Sequence, residues 1–334
     1  MNPAKQLVMA VAVATLTVGS LAIVAGPAQA KTAGANGRIV FARYDPASDS
    51  SFTYTANPDG SNQTRLLPGY ESSSPHWSPD GTQVAVTSGL GAPCPPTCTG
   101  NTVIINPDTG QQRILTSPDF PAVSTFCSIW SPDSSHFLCD GENDDDPSVN
   151  GVYTIRSSDG GGLTRITTAA GRGDDLPIDY SPDGKQIVFG HTGPFHTCDK
   201  TSALFVVNVD GTGMHRISPW GFCDDDGSWS PDGSRIAFVV DSGFIFSVHA
   251  DGSGLAQIPL SNVPGASNSR SFAGDVSWSP DGTHMVLLLG VRTGKGSFRE
   301  GIATANGDGT DVQWATTSPT FDNQPDWGPQ PTGA

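Results

Sequence analysis

Short runs of alternating apolar residues recur along this chain, each bounded by turn residues. Gln186-Ile-Val-Phe-Gly190 and Arg235-Ile-Ala-Phe-Val239 show the two-residue period of half-buried strands. An aromatic and a tight turn precede each run, most clearly in Trp229-Ser230-Pro231-Asp232-Gly233. Proline is preset for the first central turn position, Asp tolerates the next, and Gly accepts the left-handed conformation that closes a hairpin. A third strand follows a variable loop, as in Ala203-Leu-Phe-Val-Val-Asn208. Then come an Asp-Gly turn (Asp210-Gly211) and a short fourth strand, His215-Arg-Ile-Ser218.

This unit is written six times. Trp77 and Trp278 open identical Trp-Ser-Pro-Asp-Gly copies, Tyr180 changes only the aromatic, Trp130 begins Trp-Ser-Pro-Asp-Ser134, and Trp327-Gly-Pro-Gln330 is truncated. The aromatics stand at 77, 130, 180, 229, 278 and 327, a spacing of about 50 residues. Further Asp-Gly turns fall at 59–60, 159–160, 251–252 and 308–309. The prediction is an all-β, six-bladed β-propeller of four-stranded antiparallel blades, with strands A to D running outward from the axis.

Closure follows from the ends of the pattern. Gly37-Arg-Ile-Val-Phe-Ala42 reads as a second strand lacking a first, and Pro325-Asp-Trp-Gly328 as a first strand lacking a second. One composite blade is expected, its innermost strand from the C-terminus and the other three from residues 37–68. That pairing removes two open sheet edges.

The Trp-Ser-Pro-Asp-Gly-x-x-Ile-Ala-Phe pattern resembles the WD40-like (PD40) repeats of the TolB-type six-bladed propellers, over residues 37 to 330. The resemblance implies the fold; propellers host many functions, so it implies little about activity.

Residues 1–30 read as an export signal: Lys5, a nearly uncharged apolar run over 7–26, and the small-residue site Ala28-Gln29-Ala30. An uncleaved anchor is the alternative. The rest, 31–334, is expected to be a single propeller domain, extracytoplasmic, with no further membrane span. The chain carries 17 Lys and Arg against 33 Asp and Glu, a net charge of −16, which argues against nucleic acid as a partner. A protein or peptide, especially a basic one, suits this charge, and a monomer is expected.

Six cysteines in an exported chain point to disulfides. Cys127 and Cys139 fall opposite one another if the turn centres on Asp133. Cys94 and Cys98 share a loop, and Cys198 and Cys223 lie in loops expected on one face. The pairs expected are therefore Cys94–Cys98, Cys127–Cys139 and Cys198–Cys223, with a bond from Cys94 or Cys98 to Cys127 as the main rival.

In such a blade the B–C loops and the loops entering strand A share one face. Asp144, Asp145 and Asp146 lie in a B–C loop; Asp174, Asp175, Asp224, Asp225, Asp226 and Asp275 precede A strands. They are expected to surround one mouth of the central channel as an acidic binding site. The competing expectation is that they bond to backbone amides at strand entrances. Oxygen ligands would suit Ca²⁺, with Asp175, Asp225 and His196 as candidate ligands; the first expectation is no cofactor.

No G-x-S-x-G motif is present, Thr293-Gly-Lys-Gly-Ser297 lacks the phosphate-loop spacing, and Asn306-Gly-Asp-Gly-Thr-Asp311 falls where a C–D turn belongs. The favoured reading is therefore a secreted, non-enzymatic scaffold binding a protein or peptide at the acidic mouth. The alternative is a metal-dependent hydrolase or lyase with a central cation.

Overall fold

The computed structural model describes residues 33–90, 101–115, 124–143, 146–169, 173–193, 198–222, 226–240, 243–266, 271–294, 297–316 and 320–331. Residues 1–32, with the expected export signal, and Cys94, Cys98, Asp144, Asp145, His196, Cys223, Asp224 and Asp225 lie outside them. The described strands form six four-stranded antiparallel sheets. In the blade of Asp174–Tyr180, Gln186–Thr192, Ala203–Asn208 and His215–Arg216, strand order follows chain order. The inner strands of the six blades are Asp322–Pro329, Ser72–Trp77, Ser124–Trp130, Asp174–Tyr180, Gly227–Trp229 and Ser271–Trp278, numbered here as blades 1 to 6.

Blade 1 is the composite blade. The C-terminal strand Asp322–Pro329 pairs antiparallel with Asn36–Asp45, and Ser50–Ala56 and Thr64–Arg65 complete the sheet. Trp327 Nε1 donates to the Gly37 carbonyl, and the Gln330 amide donates to Ala35 O. Arg43 makes a two-pronged ion pair with the wholly buried Asp322, through Nε at 2.6 Å and Nη2 at 2.9 Å. Both termini of the repeat array are thus held in one sheet.

The repeated turn is stabilised by its own side chains. Ser230 Oγ donates to Asp232 Oδ1 and accepts from the Arg235 amide, while the same carboxylate oxygen accepts from the Ser234 amide and hydroxyl. Gly233 takes φ 72°, the left-handed conformation the turn requires. The copies at Asp80, Asp133, Asp183 and Asp281 keep the bond from the preceding Ser and an amide beyond the turn. In blade 3, Ser134 occupies the glycine position with φ 59°. Burial opposes the charge on Asp232, but these hydrogen bonds outweigh it and hold the carboxyl below its ordinary range. Asp308 likewise accepts from the Thr310 amide and hydroxyl, so the Asn306–Asp311 segment is a C–D turn.

The hydrophobic core lies between blades. Trp278, Met285 and Leu287 of blade 6 pack with Ala237, Val239 and Ile245 of blade 5, and comparable clusters fill the other five seams. The six repeat aromatics are all buried here, from 2% exposed at Trp229 to 7% at Trp77 and Trp278. Cys127 and Cys139 are register partners and form a disulfide within blade 3. Cys198 is also disulfide-bonded, to a partner outside the described residues. No described helix is long and apolar enough to cross a membrane.

Candidate functional site: the central channel

All six inner strands contribute to one axial cavity of about 440 Å³. Its wall is mostly short or apolar, but Asp140, Asp179, Asp226, Asp275 and Asp326 line it, and among the described residues no Lys or Arg does. Among the described residues the channel wall therefore carries several carboxylates and, apart from the imidazole of His76, no basic side chain.

Most of this charge also holds the blades together. The residue before each repeat aromatic faces the channel and can reach the next blade. Asp179 Oδ2 accepts from the Trp229 amide at 2.8 Å, Ser228 Oγ from the Trp278 amide at 3.3 Å, and Asp326 Oδ2 from the Trp77 amide at 2.9 Å. Ser277 Oγ donates to Asp326 Oδ1 at 2.7 Å, and His76 Nδ1 shares a hydrogen bond with Ser128 Oγ at 3.1 Å. A second tier lies nearer the mouth. Asp275 Oδ2 accepts from the Gln324 amide, and Gln324 Oε1 accepts from the Ser74 amide. The inner strands can do this because they bulge. Register shifts interrupt the pairing between Ser73 and His76, Cys127 and Ile129, Pro177 and Asp179, and Ala273 and Val276. Ser74 and Gln324 adopt φ 49° and 51°.

The acidic residues singled out from the sequence divide. Asp226 and Asp275 line the channel. Asp174 and Asp175 do not; they are buried at the start of the blade 4 inner strand. Asp174 accepts from Asn150 Nδ2 at 2.8 Å, and Asp175 binds His191 Nδ1 at 2.6 Å. The Asp175 bond raises the His191 pKa against the opposing effect of burial. His191 is thus the partner of a buried carboxylate at the end of its strand. Asp146 caps the short 3₁₀ turn Pro147–Val149 by accepting from the Ser148 amide and hydroxyl. Among the described residues, no group of three or more His, Cys, Asp or Glu is arranged to hold a metal ion.

Asp140 escaped the sequence reading. It lies in the second strand of blade 3, His136–Glu142, directly across from Phe126, and both line the channel. Burial, then the negative charge of Glu142, Asp174 and Asp175, pushes its pKa up to about 8. A signal was present. Counting from the aromatic pairs, its counterparts in blades 1, 2, 4, 5 and 6 are Ala42, Thr87, Gly190, Val239 and Leu288, so Asp140 is the one acidic member of its column.

The five exposed large aromatics are Tyr70, Trp220, Phe244, Phe298 and Phe321, counted among the described residues. Tyr70, Trp220 and Phe321 precede inner strands, and Phe244 and Phe298 begin third strands, so all lie on the face that bears the acidic mouth. Val209, Met214 and Leu255, the exposed aliphatics, fall at C–D turns on the opposite face. Trp220 is 54% exposed, packs at a tilt against Phe205 with ring centres 5.9 Å apart, and carries Arg216 at 4.6 Å from its ring centre.

No family model matches the chain. In sequence it is 31% identical over 146 residues to an uncharacterized protein of Agrobacterium fabrum, covering 43% of this chain and 44% of that one. It is 39% identical over 64 residues to dipeptidyl-peptidase 5 of Porphyromonas gingivalis, covering 19% and 9%. The matched part thus spans less than half the length of either relative. In structure it superposes on TolB of Acinetobacter baumannii with a TM-score of 0.65 at 20% identity, covering 88% of this chain and 67% of that one. A putative TolB of Agrobacterium tumefaciens matches at 0.54 and 18% identity, covering 86% and 90%. An oligogalacturonate lyase in complex with manganese matches at 0.50 and 14% identity, covering 86% and 75%. The fold is that of a TolB-like propeller.

Proposed function

We propose that this protein works outside the cytoplasm as a binding propeller, taking a protein or peptide with basic side chains on the face around the channel mouth. The observation that carries this reading is the segregation of exposed aromatics. Among the described residues, five large rings lie on the mouth face, around a channel lined by carboxylates and by no Lys or Arg. Aromatic residues are enriched in binding surfaces because they bury large areas with few rotatable bonds. Asp226 and Asp275 at the mouth add complementarity to a basic partner. The Cys127–Cys139 disulfide, together with the signal-like pattern of residues 1–30, supports an oxidising compartment.

A displayed peptide library selected on the purified protein tests this. The expected winners are rich in Lys or Arg and lose at least about tenfold in affinity, roughly 1.4 kcal/mol, when Trp220 and Phe298 are both changed to Ala. Both rings are more than half exposed, so the melting temperature should stay nearly constant. Failure to enrich any peptide, or enriched peptides indifferent to the double substitution, would sink the reading.

A further inference from the structure

One carboxylate in the channel has no structural work to do. Asp179, Asp275 and Asp326 each accept a backbone amide of the neighbouring blade. Asp140 has no hydrogen-bond or ion-pair partner among the described residues, and the negative charges of Glu142, Asp174 and Asp175 repel it. The fold does not ask for an acid there, since the equivalent positions hold Ala42, Thr87, Gly190, Val239 and Leu288. A part-buried carboxylate that faces the channel beside other acids and makes no hydrogen bond or ion pair within the described residues is costly to keep unless something binds it.

We propose that Asp140 is the seat for a single organic cation, a primary ammonium or a guanidinium, entering the central channel from its mouth. The surroundings fit that group. Phe126 stands directly across the strand pair and offers a ring to a cation, and Leu176 and Ile129 offer apolar surface to an alkyl stem. Among the described residues no Lys or Arg lines the wall, which leaves the charge for an incoming ligand. A divalent metal is the poorer fit, because Asp140 belongs to no group of three ligating side chains among the described residues. This inference deepens the proposed function: the cation would be the tip of a Lys or Arg side chain of the bound partner.

Because the Asp140 carboxyl is largely protonated at neutral pH, seating a cation must release a proton. Affinity should then rise up to about tenfold per pH unit from pH 6 to 8 and level off above. The probes are N-acetyl-lysine methylamide and N-acetyl-arginine methylamide, with N-acetyl-norleucine methylamide as the uncharged control and calcium chloride as the divalent rival. Calorimetry on the purified protein should show the two cationic probes binding with proton release and the norleucine control silent. Asp140→Asn and Asp140→Leu should each weaken binding at least tenfold; Leu288 shows that leucine is accommodated at this position in blade 6. Binding unchanged in both variants, no binding at any pH, or calcium displacing the probes from Asp140 would overturn the proposal. Basic peptides that bind the aromatic face equally well in Asp140→Asn would overturn this inference alone. Loss of the lysine probe in Asp140→Asn, with no peptide bound at all, would leave Asp140 as a cation seat and sink the peptide reading.

Discussion

Arg43 and Asp322 meet across the closing seam of the propeller, 279 residues apart in sequence. The guanidinium grips both carboxylate oxygens, donates a further bond to Gln63 Oε1, and lies over the rings of Phe41 and Tyr54. Asp322 is completely buried. Removing one member of such a pair strands the other charge, which typically costs about 3–5 kcal/mol. Arg43→Met should therefore lower the urea midpoint strongly. Replacing both residues together by apolar ones should cost less than the Arg43 change alone. Urea unfolding of the single and double variants reads this directly.

The Cys127–Cys139 disulfide closes a hairpin with a sequence separation of 12. A loop of this size is stabilised by about 3 kcal/mol when cross-linked. Oxidised protein should melt higher than reduced protein, and Cys127→Ala with Cys139→Ala should remove the difference attributable to this bond. An equal reductant effect in that double variant would place the redox sensitivity elsewhere, such as at Cys198.

Asp232 organises its turn by accepting from the Ser230 hydroxyl and the Ser234 amide and hydroxyl. Asp232→Ala should cost about 1–2 kcal/mol, since a part-buried hydroxyl and an amide lose their acceptor. The folded carboxyl titrates below its usual range, so its contribution is present above pH 4 and disappears as the pH falls through the lowered folded value. Chemical denaturation at pH 7 and at pH 3 should show the substitution mattering less at the lower pH.

Asp140 has the opposite sign. Its folded pKa lies above the unfolded one, so the folded state holds the extra proton between about pH 4 and 8. Stability due to this group falls as pH rises through that window and is flat above it, at about 1.4 kcal/mol per unit of pKa difference. Without ligand, Asp140→Asn should therefore gain on the native protein as pH is raised from 5 to 8. A constant difference across that range would show that Asp140 is ionised throughout.

His191 should titrate above free histidine, because its bond to Asp175 outweighs burial. This pair contributes stability fully below the unfolded histidine pKa, and the contribution is lost as pH rises through the higher folded value. An NMR titration of His191 should show the elevated midpoint, and Asp175→Asn should lower it. A midpoint unchanged by that substitution would leave the Asp174 and Asp199 charges as its cause.

Much of this architecture can be read from the chain because it is set by local chemistry. The Ser-Pro-Asp-Gly turn satisfies itself within a few residues, so each copy shows in the sequence what it does in the fold. The composite blade was visible as a second strand without a first and a first strand without a second. Cys127 opposite Cys139 followed from the position of one turn.

The site is different. Asp174, Asp175, Asp226 and Asp275 look alike as acids before inner strands, yet only Asp226 and Asp275 reach the channel. Asp226 and Asp275 each stand three residues before their aromatic, whereas Asp174 and Asp175 stand six and five before Tyr180. Bulges in the inner strands break the strict two-residue alternation, so which of these positions faces the axis is settled only once the bulges are placed. Asp140 stands out only when the six second strands are aligned on the aromatics, and what it faces depends on its place in the ring. Phe126, its partner across the strand pair, and Leu176 of the next blade line the channel with it. By itself the sequence determined the repeat, the blade count, the closure and one disulfide, because each depends on contacts within a blade or on counting strands. Tertiary structure alone decided which carboxylates hold blades together and which one is left unpaired, because that depends on how six separate strands converge on one axis.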